Sequence, residues 1–109
     1  MTMTRINLTK APPDQATVAA VALAGELDLY TAARIEPALT HLTLDAEREL
    51  TLDLTDVTFC DSSGVALFLR MHQRCLTAGV RLRLSGIQRR PARVIRALGV
   101  DQTLPCSFS

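Results

Sequence analysis

The sequence predicts an α/β domain with a mixed central β-sheet and helices packed against it. Three observations predict this. Strand-like runs at 17–25, 49–55 and 80–86 take turns with segments of helical period at 32–46, 63–78 and 89–100, the order that builds parallel strands joined by helices. Ile6 and Leu8 alternate with polar residues ahead of the first such unit, so the sheet opens with a strand pair and is mixed. Finally, 109 residues of which 48% are hydrophobic make a single domain with enough apolar side chain for a core. That core spans roughly 5–100, and residues 101–109 read as a short, frayed tail with Leu104 on a last strand.

Each element has its own signal. The turn APPDQ, 11–15, carries two prolines and an acid that cannot sit inside a ladder. TVAAVALAG, 17–25, is apolar on both alternations, as in a strand covered on both faces, and Gly25 ends it. Ala32, Ile35, Leu39, Leu42 and Ala46 then recur at spacings of 3, 4, 3 and 4, one helical stripe. Pro37 is harmless in a first turn and disruptive deeper, so this helix either starts near Ile35 or starts at Ala32 and bends. In ELTLDLT, 49–55, Leu50, Leu52 and Leu54 share one face, and Val57 and Phe59 continue the strand or turn away from it. From 63 to 78 Val65, Leu69, His72 and Leu76 form the expected inward stripe, and Gly79 supplies a left-handed stop. VRLRLSG, 80–86, alternates again. In 89–100 Pro91 suits a first helical turn, Val94, Ala97 and Leu98 supply the apolar side, and Gly99 closes the helix.

Composition narrows function. No apolar run approaches the ~18 residues of a membrane span, and the N-terminus has no signal-peptide pattern. Cys60, Cys75 and Cys106 are odd in number at unrelated spacings, which suits reduced thiols in the cytoplasm rather than disulfides or a metal site. No phosphate-binding glycine loop occurs, so no cofactor is expected. Net charge is +1, yet residues 1–61 carry ten acids and four bases whereas 62–109 carry eight arginines and Asp101 alone. Either the two halves neutralise each other in the fold, or the arginines form a basic face for an acidic partner. Nucleic acid fits poorly, because one aromatic, Phe68, is interleaved with those arginines and none of the usual motifs is present.

The stretch FCDSSGVALFL, 59–69, places an acid, two serines and a glycine where a strand hands over to a helix. Asp61 or Ser62 can cap that helix, because its first N–H groups lack partners. The same junction can present a serine for chemistry. A hydrolase fits badly: Gly64 stands two residues after Ser62, but Cys60 stands two before it, where a nucleophile elbow needs glycine. His72 sits along the same helix on its expected inward stripe and His41 lies off the first helix's stripe, so neither is a base for Ser62. Cys60 is a strand-end filler, since neighbouring Asp61 raises its thiol pKa.

VALAGELDLYTAARIEPAL, LTLDLTDVTFCDSSGVALFLRMHQRC, and a later strand and short helix ending in LGV together resemble the STAS domain. More narrowly, the chain is similar to the bacterial anti-sigma-factor antagonists. The resemblance covers about residues 5–100, and its two motifs are G-E-L-D at 25–28 and D-S-S-G at 61–64. It implies a cytoplasmic binding domain, not an enzyme, that engages an anti-sigma factor which is also a serine kinase, freeing a sigma factor for transcription. It implies phosphorylation at Ser62, loss of binding by the phosphorylated form, and reversal by a metal-dependent phosphatase. Asp28 then matches the aspartate near the acceptor. The partner surface is expected to comprise Asp28, Asp61, Ser62, Ser63 and Gly64, with Leu67, Arg70, Met71 and Arg74 on the outward side of the second helix. Asp28 also reads as a turn or helix cap, Ser63 as a cap or packed residue, and Leu67 and Met71 as packed under a neighbour. Family members often carry a further helix after the last strand, and Pro37 is unexpected in the first helix. The same fold also serves as an accessory subunit of lipid-transport ATPases or in stress-signalling scaffolds.

Overall fold

The computed structural model describes residues 6–10, 18–45 and 48–109. Strand β1 (Ile6–Lys10) pairs antiparallel with β2 (Val18–Leu27). Helix α1 (Leu29–Asp45) leads to β3 (Glu49–Cys60), and α2 (Ser62–Ala78) leads to β4 (Arg81–Ile87). Helix α3 (Arg89–Ala97), a 3₁₀ turn (Val100–Gln102) and β5 (Cys106–Phe108) complete the chain. The five strands lie in sequence order and, after β1, run parallel. The sheet is therefore mixed, as the sequence implies.

Strands that always step the same way, joined by right-handed crossovers, put every helix on one face. The core accordingly lies between that face and the helices. Val21, Leu23 and Leu27 of β2, Leu50, Leu52 and Leu54 of β3, and Leu82 and Leu84 of β4 are all buried there. On the other face Ala20, Ala22 and Ala24 are only half-buried, so β2 is not covered on both sides. Its small alanines explain the double apolar alternation without a second layer. The turn at 11–15 and Ala46 lie outside the described residues.

Several boundaries move. β2 runs through Gly25, which tolerates φ 121°, to Leu27 instead of stopping at the glycine. Helix α1 starts at Leu29, directly after the Asp28 cap and ahead of the Ala32 and Ile35 starts drawn from the apolar stripe, and keeps Pro37 inside it. Pro37 removes the N–H that would bond Ala33, but both residues are exposed, so water can take that carbonyl. β3 extends through Val57 and Phe59 to Cys60. The tail is not frayed: Leu104 is buried before β5 instead of within it, and Ser109 N–H donates to Ile87 O at 2.8 Å. Gly79 closes α2 in the left-handed conformation, φ 73°.

The buried faces of two helices need correction. In α2 the buried residues are Gly64, Val65, Leu67, Phe68, Met71 and Cys75, whereas Leu69 and Leu76 are exposed. The true face is turned by roughly a quarter of the helix from the one drawn through Val65 and Leu76. Apolar residues ring this helix, so periodicity permits both stripes. The helix buries the one that meets the sheet and α1. In α3 likewise Pro91, Ala92 and Ile95 are buried, Val94 is half-buried, and Ala97 and Leu98 are exposed.

Glu36 ties α1 to α2. Arg70 grips its carboxylate with Nε and Nη2, at 3.0 and 2.8 Å, and Arg74 Nη1 reaches it at 2.7 Å. The hydrogen bond from Arg70, followed by that from Arg74, holds the Glu36 carboxyl down at about 2 from an ordinary 4.5, against the opposing effect of burial. Arg83 Nε lies 3.3 Å from Glu49. Three arginines of the basic half thus pair with acids of the other half, and no single face collects all eight.

The Glu36 bridge gives a pH-dependent prediction. A carboxyl with a lowered folded-state pKa contributes stability above its unfolded value and loses it as pH falls toward the folded one. The arginines remain 47% and 39% exposed, so solvent screens the bridge to about 1 kcal/mol. Glu36→Gln is expected to lower stability by that amount at pH 6. The gap from the parent should shrink as pH falls from about 4.5 toward 2. Urea titrations at a series of pH values would measure it, and a constant gap refutes the assignment.

Candidate functional site: the paired helix starts at the sheet edge

Parallel pairing, after two register shifts past Ala22 and Gly25, matches Leu27 with Cys60, the last residues of β2 and β3. Asp28 and Asp61 follow, so helices α1 and α2 begin side by side at one edge of the sheet. Asp61 N–H donates to Leu27 O at 3.1 Å, fastening the two junctions together.

Each aspartate caps its helix. Asp61 Oδ1 accepts from Ser63 N–H at 2.9 Å and from Gly64 N–H at 3.2 Å. Asp28 Oδ1 accepts from Tyr30 N–H at 2.9 Å and Thr31 N–H at 3.0 Å. Thr31 Oγ1 accepts in return from Asp28 N–H at 2.9 Å, a reciprocal capping box. The capping reading of both acids is therefore correct, and it does not compete with a second role, because a cap oxygen still projects negative charge into the junction.

Directly after the Asp61 cap stands Ser62, the first residue of α2 and exposed. Its hydroxyl makes no hydrogen bond among the described residues. Ser63 is half-buried and gives its N–H to the Asp61 cap. Gly64 is buried, and a Cβ there would lie 2.6 Å from Cys60 Sγ and 3.0 Å from Leu27 Cβ. Gly64 thus lets α2 approach the strand ends and is no surface residue, a correction to its expected place in the partner surface.

Leu67 and Met71 need the same correction. Both are 0% exposed, packed inward on the face that α2 buries. Arg70 and Arg74 do remain partly open to solvent while holding Glu36.

What the sequence reading missed lies on the other helix. Leu29 is 66% and Tyr30 78% exposed in the first turn of α1, and Phe59, paired across the sheet with Glu26, is 40% exposed. Three large apolar side chains thus border the junction that carries Ser62, and exposed apolar residues grouped this way mark contact surfaces. The signal was present in the sequence: an apolar pair directly after the helix-capping Asp28 cannot face the core while Thr31 and Ala32 do.

Cys60 is buried, and burial first, with the Asp61 charge adding to it, pushes its thiol up to about 12. At pH 8 its thiolate fraction is about one part in ten thousand. Cys60 is expected to resist iodoacetamide on the folded protein, with mass spectrometry showing modification only on denaturation. Fast native labelling contradicts the burial.

Fold and site together define a small α/β domain that displays an exposed serine directly after one capped helix start and beside a second. The family model for the "Mlab, STAS domain" matches residues 11–105, and the chain belongs to the STAS family. It is 32% identical over 100 residues to the anti-sigma-F factor antagonist RsfB of Mycobacterium tuberculosis, covering 89% of this chain and 79% of that one. It is 29% identical over 84 residues to the anti-sigma-B factor antagonist of Staphylococcus aureus, covering 77% and 78%. Among solved structures, an anti-sigma factor antagonist from Mycobacterium paratuberculosis superposes with a TM-score of 0.78 at 26% identity, covering 94% of this chain and 86% of that one. Domains of this class work by binding, and the chain is not an enzyme. Among the described residues no helix is long and apolar enough to cross a membrane.

Proposed function

We propose that this domain is a cytoplasmic anti-sigma-factor antagonist that binds an anti-sigma serine kinase and is switched off by phosphorylation of Ser62. One observation carries the reading: Ser62 is exposed at the tip of α2, directly after the Asp61 cap, and its hydroxyl makes no hydrogen bond among the described residues. The docking surface consists of that junction with Leu29, Tyr30 and Phe59 around it, and the open edges of Arg70 and Arg74 further along α2. In the switching step Ser62 Oγ attacks the γ-phosphorus of ATP held by the kinase. The new O–P bond forms as the β–γ bridge breaks, ADP departs, and the hydroxyl proton passes to a base on the kinase. A metal-dependent phosphatase returns serine and inorganic phosphate by hydrolysis.

The test is phosphosite mass spectrometry after incubation with the kinase and ATP, repeated with Ser62→Ala. Phosphate on Ser62 that vanishes in the variant is the expected result. Phosphate elsewhere, or none, defeats the assignment. The family model's description also names Mlab, which favours a second reading as an accessory subunit of a lipid-transport ATPase. Co-purification with a transporter ATPase, and not with a kinase, would select it.

A further inference from the structure

Phe59, Cys60, Arg90, Arg93 and Val94 line a hollow of about 330 Å³ between the end of β3 and the start of α3. Arg90 and Arg93 are exposed, and neither has a carboxylate within 4.0 Å among the described residues. They differ in this from Arg70, Arg74 and Arg83, each of which has one. They differ also from Arg96, whose guanidinium lies 4.0 Å over the Phe108 ring, beside a second hollow that Arg93 borders too. No acid stands in the first turn of α3, and the side chain of Gln88 makes no capping bond there. Arg90 therefore sits uncompensated near the positive end of a helix dipole, a placement that an anion would relieve.

Ser62 follows two residues after Cys60. β3 and β4 are parallel neighbours, so the helices that leave them start toward the same end of the sheet, α3 from the level of Thr55 and α2 from beyond Cys60. The two arginines thus border Cys60, the last residue of the strand that leads to Ser62. A long side chain with a planar fork of donors suits phosphate oxygens. We propose that Arg90 and Arg93 receive the phosphoryl group on Ser62, pairing with it inside the domain. This rests on Ser62 being the acceptor. It adds that the phosphorylated state is a distinct surface in which α3 arginines are withdrawn from solvent, and not merely the free surface with charge added.

The test installs phosphoserine at position 62 during translation, which removes dependence on any kinase, and follows the phosphate by ³¹P NMR titration. Cations near a phosphate favour its dianion. The double variant Arg90→Gln/Arg93→Gln is expected to raise the second phosphate pKa by about half a unit. Arg81→Gln, at the opposite end of β4, should leave it in place. Superimposed curves for the parent and the double variant overturn the proposal, and so does an equal shift from Arg81→Gln, which would report only the general field. Failure of the kinase to modify Ser62 would show separately in the phosphosite experiment and leaves this titration readable.

Discussion

Phosphorylation of Ser62 is expected to lower affinity for the kinase partner several-hundredfold, about 3–4 kcal/mol, while leaving the fold intact. The two halves of that expectation have separate causes. Locally, a phosphate of roughly −1.5 to −2 charges at the first residue of α2 meets the positive end of the helix dipole, so folding does not oppose it. Across the proposed interface the same charge would join Asp61 and Asp28 near the exposed Leu29, Tyr30 and Phe59, whose contribution to binding would come from excluding water. Burying the phosphate there costs desolvation that the apolar rim cannot repay. Ser62→Ala should therefore bind like the parent. Ser62→Asp should bind more weakly, but less so than the phosphorylated form because it adds one charge on a shorter arm. Calorimetric titration of the four forms against the kinase would show this order. Equal Kd values for the alanine variant and the phosphorylated protein would abolish the switch.

Gly64→Ala is expected to destabilise the domain by about 1–2 kcal/mol net, a fall in Tm on the order of 10 °C. Two effects oppose each other. Alanine is the better helix former by up to ~1 kcal/mol, less in a first turn. Against this, the new methyl would lie 2.6 Å from Cys60 Sγ and 3.0 Å from Leu27 Cβ, well inside contact distance. Leu27 Cβ cannot swing aside, because it is fixed to the backbone of β2 where Asp61 N–H bonds Leu27 O. Overpacking therefore wins. Adding Cys60→Ala removes the closer of the two contacts, so the double variant should recover part of the loss in a double-mutant cycle. Thermal melts of the four proteins measure it, and a Gly64→Ala protein as stable as the parent contradicts the close approach. Because α2 carries Ser62 on its first turn, the glycine also sets where the hydroxyl stands.

The alternation of strands and helices, the mixed sheet, the caps at Asp28 and Asp61, and the stop at Gly79 were all legible in the sequence. Each depends on a local rule: side-chain period, a missing backbone partner, or a positive φ. The helix faces were not. Leu67 and Met71 read as outward because α2 is apolar around most of its circumference, and period alone does not say which stripe meets the sheet. The same ambiguity misplaced Ala97 and Leu98 in α3. Pro37 was misjudged for a related reason: its cost depends on whether Ala33 faces water, and only the packing of α1 makes it do so.

By itself, then, the sequence determined the elements, their order and the serine at the strand-to-helix junction, because hydrogen-bonding and steric rules act over a few residues of chain. The tertiary structure alone decided which apolar residues stay outside, that Gly64 is a contact and not a surface, and that Arg90 and Arg93 stand beside the end of β3. Those facts come from the register that sets Leu27 against Cys60 and from crossovers that bring distant helices to one edge, and distance along the chain carries no record of either.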